Sequence, residues 1–276
     1  MRSIRSACRI ILFSAILGTC SISFAAPGLN ETEMKNLLKE GGDLFRQANE
    51  TVGKTPDAAK GLYRQAVMRF ERLAGEGGIH NGKLYYNIGN AYFRMEDLGR
   101  AILNYRRAAV YTPDDPNLRQ NLEFARSKCQ DKIEIRQKTK ILNTLFFWHY
   151  DLSLRTRSEL FAVFFVALWT FALLRIFLKR PWTGWMLGIS VFLAALFLFS
   201  VAEESWMIHG SKSGVVVSKD VVARKGDSET YEPSFIESLH AGTEFDVVEQ
   251  RPDWYRVELA DGRSCWIPVK SVELVR

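Results

Sequence analysis

Histidine and cysteine are the residues of this chain with the most chemistry to offer, and their spacing favours neither catalysis nor metal binding. The four histidines are scattered along the sequence: His80, His149, His209 and His240. No two of them have the spacing of metal ligands. Cys265 shares the C-terminal stretch with His240, as a thiol protease would require, but a peptidase domain needs roughly a hundred residues that the sequence does not leave unassigned. A glycine-rich phosphate loop is also missing, so we predict no enzyme, no cofactor and no metal.

Two long apolar runs are the elements around which the rest of the chain must be arranged. They cover 160–178 and 185–202, and each is about 27 Å long as a helix, close to the thickness of a bilayer's hydrocarbon core. Almost no polar residue interrupts them, which favours membrane-spanning helices over the alternative, a buried hairpin of a soluble domain. We predict transmembrane helices over 159–178 and 185–202, joined by a turn over 179–184.

Basic residues near the turn predict how this hairpin is oriented in the bilayer. Arg175, Lys179 and Arg180 crowd the turn, and the positive-inside rule places such a turn in the cytoplasm. Arg155 and Arg157, before the first span, favour the opposite orientation. The start of the chain decides between the two.

Residues 1–25 have the pattern of a secretory signal peptide. A basic start is followed by a short apolar core and by small residues ahead of Ala26. Cys20 stands in a faint lipoprotein motif, so lipidation at this residue is left open. Export after cleavage agrees with a cytoplasmic turn, and we predict a two-pass protein of the bacterial inner membrane with both large flanks in the periplasm. Cys129 and Cys265 then lie in an oxidising compartment, and whether they form a disulfide is also left open.

Composition and charge exclude three further classes of protein. Hydrophobic residues make up 47% of the 276 residues and charged residues 25%, a mixture that is neither disordered nor wholly embedded in the membrane. The net charge is +6, but the basic residues are spread along the chain, and we predict no nucleic-acid surface.

Aromatic residues cluster over 146–150, within a predicted linker over 138–158, and favour the lipid headgroup layer.

A repeat of 34 residues organises the stretch before the membrane. The positions that define this repeat lie on two successive helices and at the end of the second. They are Tyr85, Ile88, Gly89, Tyr92, Ala101, Tyr105, Ala108 and Pro113. This pattern resembles the tetratricopeptide consensus, which implies an all-α array of helix hairpins. We expect Gly89 and Ala101 to be small because the two helices of the hairpin cross closely there, with Tyr105 filling the space beside them.

One such repeat cannot bury its own apolar faces, so its neighbours must cover them. Leu44, Ala48, Ala66 and Phe70 resemble a degraded earlier repeat. The polar stretch over 50–60 then looks like an insertion in that repeat. The residues of 117–129 resemble a closing helix. We predict a tetratricopeptide domain over 30–137, with its best repeat over 82–115.

The resemblance implies a groove for peptides or protein segments, lined by the first helix of each hairpin. Carried onto this sequence, the family's groove positions are Tyr86, Asn87, Asn90, Arg94, Gln120 and Asn121. Asparagine suits this role because its side chain offers both a donor and an acceptor to the backbone of an extended peptide. We predict a protein-binding groove at these residues.

Short β-branched runs replace the helical pattern after the membrane. Strand-like runs cover 215–217, 221–223, 243–249, 255–259 and 272–275, and Asp261-Gly262 predicts a hairpin turn. Five short strands in such a stretch favour a small barrel. The fragments over 223–226, 239–243, 253–255, 261–263 and 266–267 resemble bacterial SH3-like domains. Cys265 departs from the family, which usually has glycine before Trp266. We predict an all-β SH3-like barrel over 214–276.

Two tryptophans are the strongest candidates for ligand binding in this barrel, because an aromatic pair can hold a peptide or the face of a sugar. A barrel this small normally places at least one tryptophan in its core. We predict that Trp266 is the core residue and leave the place of Trp254 open. The candidate ligand surface of the barrel is then Tyr231, Glu232 and Trp254.

The order of the segments resembles one known family. A signal, a tetratricopeptide array, a membrane hairpin and an SH3-like barrel follow one another as in the BatE-type proteins of the bacterial aerotolerance (Bat) operons, and the stretch over 84–126 carries the best local likeness. The resemblance implies a scaffold in the lipid bilayer whose partners are membrane proteins with von Willebrand A domains and a MoxR-type ATPase. The alternative is a cell-wall anchor whose barrel grips peptidoglycan.

Overall fold

Seven α-helices and a C-terminal antiparallel sheet make up the part of the chain that a computed structural model describes, which is residues 28–133, 146, 148, 152, 154–210 and 212–275. The predicted signal peptide over 1–25 lies outside the described residues, as does most of the predicted linker over 138–158. The helices that precede the apolar runs, the runs themselves and the strands that follow them are all described.

Five helices form the N-terminal part, here called the helical array. They are α1 (Glu31–Thr51), α2 (Pro56–Gly75), α3 (Gly82–Arg94), α4 (Leu98–Tyr111) and α5 (Pro116–Lys128). Side chains cap four of the five N-termini: Asn30 forms a capping box with Glu33, and Asn81, Asp97 and Asp115 accept from backbone N–H groups of the helices they precede. Neighbouring helices pack in sequence order, with α1 on α2, α2 on α3, α3 on α4 and α4 on α5.

The close crossing of α3 and α4 depends on Gly89, as the sequence predicts. A Cβ atom added to Gly89 would lie 2.6 Å from Cδ1 of Tyr105 and 3.3 Å from the carbonyl oxygen of Ala101. Ala101 and Tyr105 are both buried. The space beside the small residues is therefore filled by the tyrosine ring, and the prediction for this hairpin is confirmed.

The same small–small–tyrosine contact occurs in the first hairpin, but not at the predicted residues of its second helix. Ala48, Ala59 and Tyr63 form one buried cluster between α1 and α2. The sequence analysis assigned the corresponding places on α2 to Ala66 and Phe70, which was wrong. The error came from treating the polar stretch over 50–60 as an insertion. Helix α1 continues to Thr51 and α2 begins at Pro56, so only a short turn separates them.

Two long apolar helices follow the array: α6 (Leu154–Leu178) and α7 (Pro181–Gly210). Both are long and apolar enough to cross a membrane. They pack against each other, and the turn between them is shorter than predicted because Pro181 already begins α7. The side chains that α7 buries form one stripe: Thr183, Ser190, Ala194, Phe197 and Ser200.

Large apolar side chains cover the outer faces of this helix pair. Phe177, Trp185 and Phe199 are 81%, 76% and 71% exposed. Such exposure disfavours the alternative of a buried soluble hairpin, in which these side chains would be covered by protein. Near the open end of the pair, Arg157 is buried and donates to Oγ of Ser200 over 2.9 Å, which ties α6 to α7.

The C-terminal part, here called the β domain, is a curled antiparallel sheet with a smaller strand pair. The strands are β1 (Lys212–Val216), β2 (Asp220–Val221), β3 (Leu239–His240), β4 (Glu244–Gln250), β5 (Trp254–Leu259), β6 (Ser264–Pro268) and β7 (Val272–Leu274). The main sheet has the order β6-β5-β4-β1-β7, and β2 pairs only with β3. The predicted run over 221–223 thus contributes little, and β6, after the Asp261-Gly262 turn, completes the five-stranded sheet.

Cys129 and Cys265 are free thiols in two different apolar clusters, so they do not form a disulfide with each other. Cys129 is buried in the helical array and Cys265 in the β domain. Burial raises the pKa of Cys129 to about 11 and that of Cys265 to about 12. Because the thiolate is the reactive form, burial disfavours nucleophilic chemistry at either thiol.

Candidate functional site

A cleft of about 400 Å³ runs across the first helices of the hairpins, and we call it the groove. Helices α1, α3 and α5 supply most of its lining, which consists of Phe45, Asn49, Tyr86, Asn90, Phe93, Arg94, Tyr105, Asn121 and Phe124. Four of the six predicted site residues are among them: Tyr86, Asn90, Arg94 and Asn121. The other two, Asn87 and Gln120, are half-buried and exposed, respectively, and do not line the groove.

Asn90 lies at the centre of a hydrogen-bond network that joins three helices. Its Oδ1 accepts from the Tyr105 hydroxyl over 2.8 Å and from Nδ2 of Asn121 over 3.1 Å. The Asn121 amide also donates to the Tyr86 hydroxyl over 2.9 Å. The carbonyl side of Asn90, which the sequence analysis assigned to a bound peptide, is therefore already engaged in holding α3, α4 and α5 together.

A matching contact lies one hairpin earlier. The Tyr63 hydroxyl donates to Oδ1 of Asn49 over 2.7 Å, and the Phe45 ring packs edge-on against the Tyr63 ring at 5.3 Å. This repeats the pairing of Asn90 with Tyr105. Sequence reasoning missed Phe45 and Asn49, although the recurrence of an asparagine on the first helix and a tyrosine on the second was the signal that could have found them.

Burial keeps these tyrosine hydroxyls protonated. Desolvation raises the pKa of both Tyr63 and Tyr105, and this effect outweighs the opposing influence of the nearby Arg94 guanidinium. Each hydroxyl is therefore a donor throughout the physiological range. The asparagine carbonyls are oriented by these donors, which fixes the amide side chains along the floor of the groove.

Arg94 and a pair of phenylalanines supply the rest of the groove's chemistry. Arg94 is exposed and is the one charged side chain of the lining. Among the described residues it forms no ion pair with a carboxylate, whereas arginines such as Arg69 and Arg72 do. The rings of Phe93 and Phe124 pack at 5.6 Å across the gap between α3 and α5. The groove thus offers amides, aromatic faces and one cation.

The β domain places its two tryptophans differently from the prediction. Cys265 and Ile267 point into the core, so Trp266 between them faces outward and is only half-buried. The prediction that Trp266 is a core residue was wrong. The guanidinium of Arg251 lies 4.7 Å from the centre of the Trp266 ring and packs on its outer face. Trp254 is also half-buried. It lies an odd number of residues from the inward Val257 on the same strand, so it is on the outer face of the sheet, as Trp266 is.

The other two candidates of the β domain lie on the long loop between β2 and β3. Tyr231 is exposed, and its ring covers Gly226. Glu232 is exposed and accepts from Nζ of Lys225 over 2.9 Å. The hydrogen bond and the charge of Lys225 lower the pKa of Glu232. These side chains form a charged and aromatic surface.

Comparison with known proteins gives no family assignment. No family model, no curated protein and no solved structure matches the chain. Within the described ranges, no group of three or more His, Cys, Asp or Glu side chains is placed to hold a metal ion. The geometry of the groove is therefore the basis for a functional assignment.

Proposed function

We propose that the chain is a non-catalytic membrane scaffold whose groove captures a segment of another protein. The observation that carries this proposal is the convergence of Tyr86, Asn90, Arg94 and Asn121 in one cleft across α1, α3 and α5. The tetratricopeptide pattern of the sequence predicts these four residues for such a groove. The repeated asparagine–tyrosine pair supports an array of that class.

The lining favours an extended segment that carries one acidic and at least one apolar side chain. The free amide N–H groups along the floor can donate to peptide carbonyls. Phe93 and Phe124 offer aromatic faces to an apolar side chain. Arg94 has no acidic partner within the described residues, so a carboxylate on the ligand would complete it. The resemblance to BatE-type proteins proposes membrane proteins with von Willebrand A domains and a MoxR-type ATPase complex as the partners.

Replacing Arg94 is expected to weaken partner capture without loosening the array. A hydrogen bond to a charged group contributes roughly 1.5–3 kcal/mol, and 1.4 kcal/mol is tenfold in affinity. Arg94→Gln should therefore reduce the partner recovered from membranes by about tenfold or more. Asn90→Ala is not a clean test, because it would leave the buried Tyr105 hydroxyl without its acceptor.

The matched control for this experiment is Arg119→Gln. Arg119 is an exposed arginine on α5 that does not line the groove. Recovery should be unchanged in this variant when equal amounts of tagged protein are solubilised. Equal losses in the Arg94 and Arg119 variants would mean that overall charge, and not the groove, determines capture.

We further propose that both α6 and α7 cross the inner membrane and that both flanks are periplasmic. The β domain packs against α4, so the two flanks must lie on one side of the membrane, as an even number of spans requires. Reporter fusions after Gln137 and Arg276 should both be active as exported enzymes. A fusion at either position that is active only in the cytoplasm would contradict this topology.

A second candidate function is cell-wall anchoring through the β domain. The outward, half-buried positions of Trp254 and Trp266 favour it, because aromatic rings on an outer face can pack against sugar rings. In this case the full-length protein in detergent should sediment with purified peptidoglycan, and Trp254→Ser should abolish sedimentation while leaving Arg94-dependent capture unchanged. If the protein is a scaffold and not an anchor, Arg94→Gln should reduce partner capture, and Trp254→Ser should change neither capture nor sedimentation.

A further inference from the structure

Part of the β domain packs into the apolar core of the helical array. Val215 of β1 is fully buried and belongs to the same cluster as Ile102 and Tyr105 of the array. Gly99 of α4 lies so close to β1 that an added Cβ would be 2.8 Å from the carbonyl oxygen of Val216. Side chains and backbones from both parts therefore interdigitate as they do within one domain.

Charges surround this apolar contact and are complementary across it. Arg126 of α5 forms a two-pronged bond with Glu244 of β4, at 2.6 Å and 2.8 Å. Arg106 of α4 approaches the same carboxylate at 3.3 Å. On the other side, Arg107 donates to the backbone of β7 at Leu274 over 2.8 Å. Basic side chains of the array thus meet acidic side chains and carbonyls of the β domain.

A third contact lies where the chain leaves the array toward the membrane. The Asp131 carboxylate accepts from the backbone N–H and the ring Nδ1 of His240, over 2.7 Å and 2.6 Å, and from the Thr243 hydroxyl. Burial favours the neutral acid, but these hydrogen bonds outweigh it and hold the pKa of Asp131 below its ordinary value. The carboxylate is therefore charged at neutral pH, when its bonds to the β domain are strongest.

We propose that residues 28–133 and 212–275 are two halves of one discontinuous domain, into which the membrane hairpin is inserted. Their interface, here called the seam, is formed by α4, the end of α5, β1, β7 and the turn between β3 and β4. The α4 face of the array is then an interaction surface whose partner is the β domain of the same chain. This inference is independent of what the groove binds.

The seam has a mechanical consequence. Asp131 is close to the start of the segment that leads into α6, and β1 begins directly after α7. The seam therefore places the array against the β domain, which begins where α7 ends. A ligand held in the groove is joined through the seam to the β domain and so to the end of α7.

The test uses the full-length protein in detergent, with a protease site inserted after Gln137 and an affinity tag after Arg276. Cleavage removes the covalent link between the array and everything that carries the tag. If the seam holds, the array fragment stays with the tagged fragment after washing at moderate ionic strength. If the array fragment of the protein without seam substitutions is washed away, the helical array and the β domain are independent domains and the proposal is wrong.

Charge variants make the same experiment specific for the seam. The Arg126 side chain is 47% exposed and that of Glu244 24% exposed, so solvent partly screens the pair. Arg126→Glu replaces this attraction with repulsion and should lower retention roughly fivefold. Adding Glu244→Arg to this variant should restore part of the retention, because the pair with position 126 is then reversed and not broken. The rest should stay lost, since Arg106 then faces an arginine in place of the Glu244 carboxylate. Arg119→Glu, on the same helix but away from the seam, should behave as wild type. Equal retention in Arg126→Glu and wild type would overturn the proposed seam chemistry.

Discussion

Leucine in place of Gly89 is expected to unfold the helical array. Even a bare Cβ at this position would lie 2.6 Å from the Tyr105 ring, which is itself buried and cannot swing aside. The ring is also held by its hydrogen bond to Asn90. Overpacking a tight site typically costs 1–3 kcal/mol and sometimes more, and we expect about 3 kcal/mol or more here. That is a large part of the roughly 5–15 kcal/mol that stabilises an ordinary domain.

Gly42→Leu provides the matched control, because nothing lies within 4 Å of a Cβ added to Gly42 of α1. This change should leave stability unchanged or raise it, since glycine is a poor helix former. Hydrogen exchange of the full-length protein in detergent measures both variants. Gly89→Leu should lose the protection of the amides in α3 and α4, whereas Gly42→Leu should keep it. Unchanged protection in Gly89→Leu would show that the helices do not cross as described.

Alanine in place of Gly242 is expected to open the seam. Gly242 has φ of +99°, a region that costs an ordinary L residue roughly 1–2 kcal/mol. An added methyl group would also collide with Sγ of Cys129 at the end of the array. The two effects act together, and we expect a loss of about 2–5 kcal/mol in the free energy of unfolding. Hydrogen exchange of the backbone amides in β1 and α4, measured at increasing denaturant concentration, should detect this loss of stability.

Two further variants separate the backbone effect from the collision. Gly78 also has positive φ, at +61°, but nothing lies within 4 Å of its added Cβ. Gly78→Ala should therefore show the backbone cost alone. Cys129→Ala, combined with Gly242→Ala, removes the sulfur and should recover the part of the loss that Gly78→Ala does not reproduce. Equal losses at Gly78 and Gly242, with no recovery, would mean that the array and the β domain are not in contact at this point.

The features that sequence reasoning predicted are those fixed by local patterns. The apolar runs identify α6 and α7 by length and composition, and the small residues at Gly89 and Ala101 identify the close crossing in one hairpin. Helix spacing also brought Tyr86, Asn90 and Arg94 to one face of α3. Each of these depends on residues within a few helical turns of one another.

The features that it missed depend on contacts between distant residues or on register. The outward position of Trp266 follows from strand alternation, in which a shift of one residue exchanges core and surface. The role of Asn90 depends on where the Tyr105 hydroxyl reaches from α4. The ion pair between Arg126 and Glu244 joins a residue that precedes α6 in the sequence to one that follows α7. No local sequence pattern identifies these two residues as partners.

The central claim is that the groove holds the protein partner, and site-specific photocrosslinking tests it most directly. A photoreactive amino acid at Phe124, which is half exposed at the edge of the groove, should form an adduct with a membrane protein in intact cells. The same probe at Arg119 should not, and Arg94→Gln should abolish the adduct formed from position 124. An adduct that forms from Trp254 of the β domain, but not from Phe124, would contradict the account.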